Sequence, residues 1–282
     1  MIHVLADSMS DTSQREAKEL GISVLPLIVR FDKEEFLDGV DMLPDEFYRR
    51  LQTVTELPKT SQITPERFRS AFDRLLQKPE DEVLYISGSS KLSGTCQSAR
   101  LARELCVDGS RVTVVDSLSA SPGTAMLVRE ACRRLGNFVR ASELGKWLES
   151  VRDRTHLIGQ AETLKYLVMG GRLNAAAGAV GTLLHIHPML KLEDGVMHQA
   201  GLCRSVKKMM NWFVERISEF PPDTDFPIMV SGAGCPEGRI QLRRVLEEAG
   251  FDCCPMLETD IGPVVGTYTG PGLTSVCWIA RT

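Results

Sequence analysis

Strand and helix signals alternate along most of this 282-residue chain, and that alternation restricts it to an α/β architecture. Residues 2–6 read as a buried strand, and residues 13–20 as a helix that Gly21 terminates. Residues 22–29 read as a second strand, broken at Pro26 in the manner of an edge or a bulge. Thr64-Pro65 supplies a hydroxyl N-cap followed by a first-turn proline. Beyond it, Phe68, Ala71, Phe72, Leu75 and Leu76 recur at the spacing of one buried helical face. A strand over 83–87, a loop over 89–95 and a helix over 96–105 follow, and 112–116 with 124–135 repeat the order. A helix over 142–151, a strand over 156–160, a helix over 162–170 and an Ala/Gly-rich helix over 175–184 come next. Glu193-Asp194-Gly195 then turns a β-hairpin between 187–192 and 197–202. Val206, Met209, Met210, Phe213 and Ile217 mark one face of a further helix. Segments 228–231, 237–249, 251–257 and 274–280 complete a second α/β unit. The expectation is two α/β domains, 1–155 with a mainly parallel sheet and 156–282 with a mixed one, and a ligand between them.

Charge and composition narrow the function. Net charge is −4, with Lys and Arg dispersed, which argues against a nucleic-acid footprint and against a polybasic membrane contact. No apolar run approaches the ~18 residues of a membrane span. The start of the chain has no signal-peptide pattern, so the expectation is a cytoplasmic protein without stable membrane insertion. Eight cysteines are present, but they fall in helical and apolar segments, Cys253 and Cys254 are adjacent, and no C-x-x-C occurs. They read as small buried hydrophobes rather than a disulfide framework or a zinc site.

Three clusters of small hydroxyl residues stand out. They are Lys59-Thr60-Ser61-Gln62, Ser89-Ser90-Lys91-Leu92-Ser93-Gly94-Thr95, and the run from Gly262 to Gly272 containing Thr267-Tyr268-Thr269. Each combines hydroxyls with backbone N–H groups on turns rich in glycine or proline. None holds a strong acid, a metal-ligand set or a reactive thiol. The second would lie at the carboxyl end of a strand and at a helix N-terminus, where free amides favour anions. Together they form a neutral cradle for an anionic head group, although Ser, Thr, Gly and Pro also simply make loops. Asp7-Ser8 and Asp116-Ser117, each ending a strand, read as turn and cap residues. No G-x-x-x-x-G-K-[ST] and no G-x-G-x-x-G after a strand is present, so autonomous ATP use is not supported. Ser8, Ser93 and Ser117 are candidate nucleophiles for an alternative hydrolase or transferase acting on small acyl or phosphate substrates. None stands in a G-x-S-x-G elbow.

The order of Asp7-Ser8, Asp38-Gly39-Val40-Asp41, the Lys59 and Ser89 clusters, Gly170-Gly171-Arg172-Leu173, the Asp-Gly hairpin and the Gly262–Gly272 run resembles the DegV family along essentially the whole chain. That resemblance implies a two-domain α/β fold with a long-chain fatty acid between the domains. It also implies a protein that is not itself an enzyme but the acyl-carrying subunit of a two-part fatty-acid kinase, with ATP and magnesium on the partner. Thr60, Ser61 and Ser93 would then hold the carboxylate, with Gly94 and Thr95 adding amides and Thr267 and Tyr268 closing the site. Arg204, before the helix that starts at Ser205, occupies a position where the family commonly has arginine, and would steer the anion or contact the partner during phosphoryl transfer. Neither a metal nor a resident cofactor is implied. A lipid-sensing module without a kinase remains the alternative. Family members often have histidine where this chain has Tyr268, and histidine is common where it has Ser231. His185-Ile186-His187 stands where Asn and Lys are usual; the two histidines read as structural.

Overall fold

The computed structural model describes residues 1–173 and 186–282, so the helix expected over 175–184 and His185 lie outside the described residues. The elements run β1 (Ile2–Asp7), α1 (Gln14–Leu20), β2 (Ser23–Leu25), β3 (Ile28–Phe31), β4 (Glu34–Leu37), α2 (Pro44–Leu51), β5 (Lys59–Ser61), α3 (Pro65–Leu75), β6 (Glu82–Ser87), α4 (Thr95–Leu105), β7 (Val112–Asp116) and α5 (Pro122–Arg134). They continue as α6 (Ala141–Arg152), β8 (Thr155–Gln160), α7 (Lys165–Met169), β9 (His187–Glu193), β10 (Val196–Cys203), α8 (Val206–Glu219), β11 (Ile228–Gly232), α9 (Pro236–Glu248), β12 (Met256–Asp260), α10 (Pro263–Thr269) and β13 (Thr274–Ile279).

The described strands form three sheets. One is wholly parallel, in the order β2-β1-β6-β7, and draws on residues before 117. The second, β10-β9-β8-β13-β11-β12, is mixed: β11 and β12 run parallel, while the other neighbours are antiparallel. A small antiparallel sheet, β4-β3-β5, completes the set.

Local chemistry accounts for the boundaries. Ser13 caps α1 by accepting from Glu16 N, and Gly21 closes the helix at φ 68°. Thr64 accepts from Arg67 N ahead of Pro65. Asp194 and Gly195, both at positive φ, turn the β9–β10 hairpin. Residues 22–29 are not one strand. Pro26 lacks an N–H to continue a ladder, and the chain leaves the parallel sheet after Leu25 and enters the small sheet at Ile28. Likewise only the end of 251–257 is extended. Gly250 at φ 86° leads into a tight turn over Phe251–Cys253 before β12 begins.

A helix between the two larger sheets links the halves of the chain. In α5, nine of thirteen residues are buried, from Pro122 through Ala131, so it has no solvent stripe and packs on both sides. Ala125, Met126 and Val128 share one core with Val4, Ala6, Leu84 and Ile86 of the parallel sheet and with Leu157, Met229, Cys277 and Ile279 of the mixed sheet. The opposite face of the mixed sheet, through Ile158, Val276 and Trp278, packs on Met209, Met210 and Phe213 of α8 and Leu242 and Leu246 of α9. Leu157 and Ile158 thus point to opposite faces, as strand alternation demands. Cys96, Cys106, Cys132, Cys203, Cys235 and Cys277 are free thiols. Burial holds Cys96, Cys132 and Cys235 up at about 11, which keeps them protonated and unreactive.

Candidate site: a cavity with a hydroxyl mouth

The small sheet, the loop before α4 and helix α10 meet around a partly open cavity of about 160 Å³. Its body is apolar, built from Met9, Leu27, Ala120, Leu167, Met197 and Val264 among others. Polar groups gather on the wall formed by Thr60, Gln62, Ser93, Gly94, Arg172 and Tyr268. A narrower apolar extension of about 40 Å³ shares Ala120, Met197, Val265 and Thr269 with it and runs on between Pro122 of α5 and Leu157, Leu190 and Leu192 of the mixed sheet. One wall therefore offers hydrogen bonds and the rest offers hydrocarbon.

The polar wall is assembled from distant segments. Thr60 pairs with Val29 across β3–β5, and its hydroxyl lies 2.6 Å from the Tyr268 hydroxyl on α10. The Ser93 hydroxyl lies 2.9 Å from that of Thr95 and accepts from the Thr95 amide at 3.3 Å. The Gln62 amide donates to Ser98 at 2.8 Å, across the first turn of α4. Gly94 gives that amide its room, because a Cβ on it would stand 2.0 Å from Gln62 Oε1 and push the side chain aside. Arg172 reaches in from the end of α7. Its Nε donates to the Leu92 carbonyl at 3.1 Å and Nη1 to the Gly170 carbonyl at 2.6 Å, with the guanidinium carbon 4.0 Å over the Tyr268 ring. Two backbone carbonyls and an aromatic face thus fix the guanidinium. The residues lining this cavity include neither Asp nor Glu, so the wall carries one positive charge and freely rotating hydroxyls. Such a wall can hold one anionic head group by charge-assisted hydrogen bonds.

Among the expected site residues, Thr60, Ser93, Gly94 and Tyr268 line the cavity together. Ser61 does not: it follows Thr60 on a strand, faces the other way and is exposed. Thr95 is fully buried and acts through Ser93, its amide already engaged. Thr267 turns its hydroxyl back onto the Pro263 carbonyl at 2.9 Å inside α10, and Thr269 takes the wall position instead. Arg204 is exposed at the end of β10, away from the cavity lining. Arg172 and Gln62 were not singled out from sequence, although both sit inside motifs that were. Nothing in a sequence signals that the Gly170-Gly171 turn brings an arginine onto a tyrosine nearly a hundred residues later. The Gly262–Gly272 run, expected as a loop, is helical over α10 because Pro263 suits its first turn and Gly270 ends it.

Two of the three serines weighed as nucleophiles are engaged by neighbours away from the cavity wall. Ser8 accepts from the Leu27 amide, and Ser117 pairs with the Thr124 hydroxyl at 3.0 Å. Asp7 and Asp116 act as turn anchors. Asp7 accepts from Met9 N, Gly88 N and the Tyr85 hydroxyl, and Asp116 from Ser90 N and Leu118 N. A larger cleft of about 440 Å³ beside β8 has ion pairs in its wall, among them Lys191–Glu193 at 2.7 Å and Arg216–Glu219 at 2.6 Å, and is more polar than the cavity above. Among the described residues there is no cluster of three or more His, Cys, Asp or Glu that could hold a metal, and no helix long and apolar enough to cross a membrane.

Comparison with known proteins agrees along the whole chain. A family model described as "Uncharacterised protein, DegV family" matches residues 1–281. A DegV domain-containing protein of Caldanaerobacter subterraneus is 35% identical, with 98% of this chain and 97% of the relative covered. Among solved structures, a DegV family protein from Thermus thermophilus, described by its fatty acid binding, superposes with a TM-score of 0.89 at 30% identity over 99% of each chain. A Thermotoga maritima protein whose structure is described as revealing a fatty acid binding function gives 0.83 at 27% identity over 99% of each chain.

Proposed function

The chain belongs to the DegV family, and on that premise we propose that it binds one long-chain fatty acid, tail in the apolar cavity and carboxylate on the hydroxyl wall. In this reading it is a binding protein rather than an enzyme. Its two units, 1–155 and 156–282, enclose the acyl chain, and it works in the cytoplasm as the acyl-presenting subunit for a kinase that carries ATP and magnesium. The observation that carries the reading is the Thr60–Tyr268 hydroxyl pair and the anchored Arg172 at the mouth of a hydrocarbon-lined space. Burying the tail supplies ~0.8 kcal/mol per methylene, from which association costs are subtracted. The carboxylate cannot be buried unpaired, and this wall provides its donors. The fatty acid binding described for the Thermus and Thermotoga proteins supports the ligand class.

Organic extraction and native mass spectrometry of the purified protein test the first half. A stoichiometric long-chain fatty acid is the expected result, and a protein that neither carries one nor takes one up overturns the reading. Acyl phosphate formed only when a partner kinase and ATP are added would select presentation over simple lipid sensing.

Two substitutions separate binding from transfer. Arg172→Met removes the wall's cation and should weaken fatty-acid binding by roughly 10- to 100-fold, the worth of a hydrogen bond to a charged group. Isothermal titration reads this directly, and unchanged affinity would take Arg172 out of the head-group site. Arg204→Ala, at an exposed position, should leave affinity intact and slow acyl-phosphate formation by the partner kinase. Equal loss in both assays would instead put Arg204 on the lipid.

A further inference from the structure

Two carboxyl groups from the first part of the chain close the N-terminus of α10, the helix that carries Tyr268. The N-cap of α10 is Gly262, which has no side chain to accept from the first-turn amides. Asp11 Oδ1 accepts from the Gly262 amide at 2.9 Å, and the Asp11 carbonyl accepts from the Thr259 hydroxyl at 3.2 Å. The Asp38 carboxyl faces the Val264 amide and the Ser8 hydroxyl. A Cβ on Gly262 would meet Asp11 Oδ1 at 2.6 Å and Asp38 Oδ1 at 3.3 Å, so both carboxyls crowd the same helix end. Their other oxygens, Asp11 Oδ2 and Asp38 Oδ2, are buried without a hydrogen-bond partner, and the Ser121 hydroxyl lies beside Asp11. Two ionised carboxylates placed this way would repel and leave buried negative charge unsatisfied.

We propose that the Asp11–Asp38 pair retains one proton at neutral pH, and that this acid–carboxylate pair is the positioning group that holds α10, and with it Tyr268, against Thr60. The ligand arm of this inference rests on the fatty-acid reading above. Burial and the neighbouring Asp38 raise Asp11 well above the usual carboxylate range, and burial raises Asp38 to about 7. The Ser121 hydroxyl favours the charged form of Asp11 without outweighing burial, and among the described residues no cation pairs with either carboxyl. Asp7 lies beside Asp38, and Asp260 beside Asp11. Arg239 pairs with Asp260 and Glu258. Tyr48 donates to the Ile261 carbonyl at 3.0 Å and stays protonated, as does Cys235. The folded chain binds the Asp38 proton more tightly than the unfolded chain. Its stabilising effect is therefore full below about pH 4 and is lost as pH rises through about 7.

Infrared titration of unliganded wild-type protein should show one buried carboxyl losing its proton between about pH 6 and pH 8.5, while the other, on Asp11, stays protonated. Hydrogen exchange of the Gly262 and Val264 amides should quicken over the same interval by more than the intrinsic pH effect. Palmitate affinity of the wild type should fall about tenfold across that interval, while Asp38→Asn, which mimics the protonated form, should hold the affinity seen at low pH. The ligand's own titration is common to both proteins and cancels in the comparison. Parallel affinity profiles, or no protonated carboxyl at any pH, would overturn the proposal. If Asp38→Asn does not fold, the infrared and exchange measurements on wild type decide it. A wild type that binds no palmitate defeats the proposed function, and the pair is then judged on those same two measurements.

Discussion

Thr60→Val combined with Ser93→Ala lowers affinity for a long-chain fatty acid by roughly two to four orders of magnitude, whereas Ser93→Ala alone costs about tenfold or less. Each hydroxyl that donates to a buried carboxylate is worth ~1.5–3 kcal/mol, and every 1.4 kcal/mol is about a factor of ten. The single variant is buffered, because Thr60 and Arg172 stay on the same wall as donors. The double variant strips both hydroxyls and leaves Arg172 as the wall's charged donor. Removing Thr60 also takes from Tyr268 its partner at 2.6 Å, so the phenol must find another acceptor or turn away. Direct titration of both variants, with circular dichroism to establish folding, measures the difference. A double variant that binds as tightly as wild type would remove these hydroxyls from the head-group site.

Gly270→Val is the second large effect, and it falls on stability. Gly270 ends α10 at φ 71° and ψ 178°, a backbone region open essentially to glycine alone. A Cβ there would lie 2.2 Å from the Tyr166 ring, and the ring is held on α7, whose end carries Arg172. Backbone strain of ~1–3 kcal/mol joins overpacking of ~1–3 kcal/mol, so the variant should lose about 3–5 kcal/mol of the ~5–15 kcal/mol that stabilises an ordinary domain. In urea unfolding the midpoint should fall sharply at unchanged slope. A midpoint within experimental error of wild type would show that the α10–α7 contact yields without cost.

Most elements were legible because their causes are local. Hydroxyl N-caps at Ser13, Thr64 and Ser205, left-handed glycine after α1, the Asp194-Gly195 turn and the face of Met209, Met210, Phe213 and Ile217 all depend on neighbours within a few residues. β4, β5 and α10 escaped, because three- and four-residue strands and a seven-residue helix rich in Gly and Thr carry too little periodicity. By contrast α2 has a local pattern, Pro44 ahead of Phe47, Tyr48 and Leu51, that makes it legible. The site divides in the same way. Thr60, Ser93, Gly94 and Tyr268 advertise themselves through composition, whereas Ser61 shares that composition and points elsewhere.

By itself, then, the sequence determined the α/β class, the order of most elements and the absence of acids or thiols from the hydroxyl clusters, since each follows from residue type and short-range spacing. Only the tertiary structure decided which hydroxyls meet, that Arg172 supplies the charge, and that Asp11 and Asp38 reach across 251 and 226 residues to Gly262 and Val264. Those contacts arise when α5 draws two sheets onto its two sides, and burial rather than local propensity then sets every distance at the site.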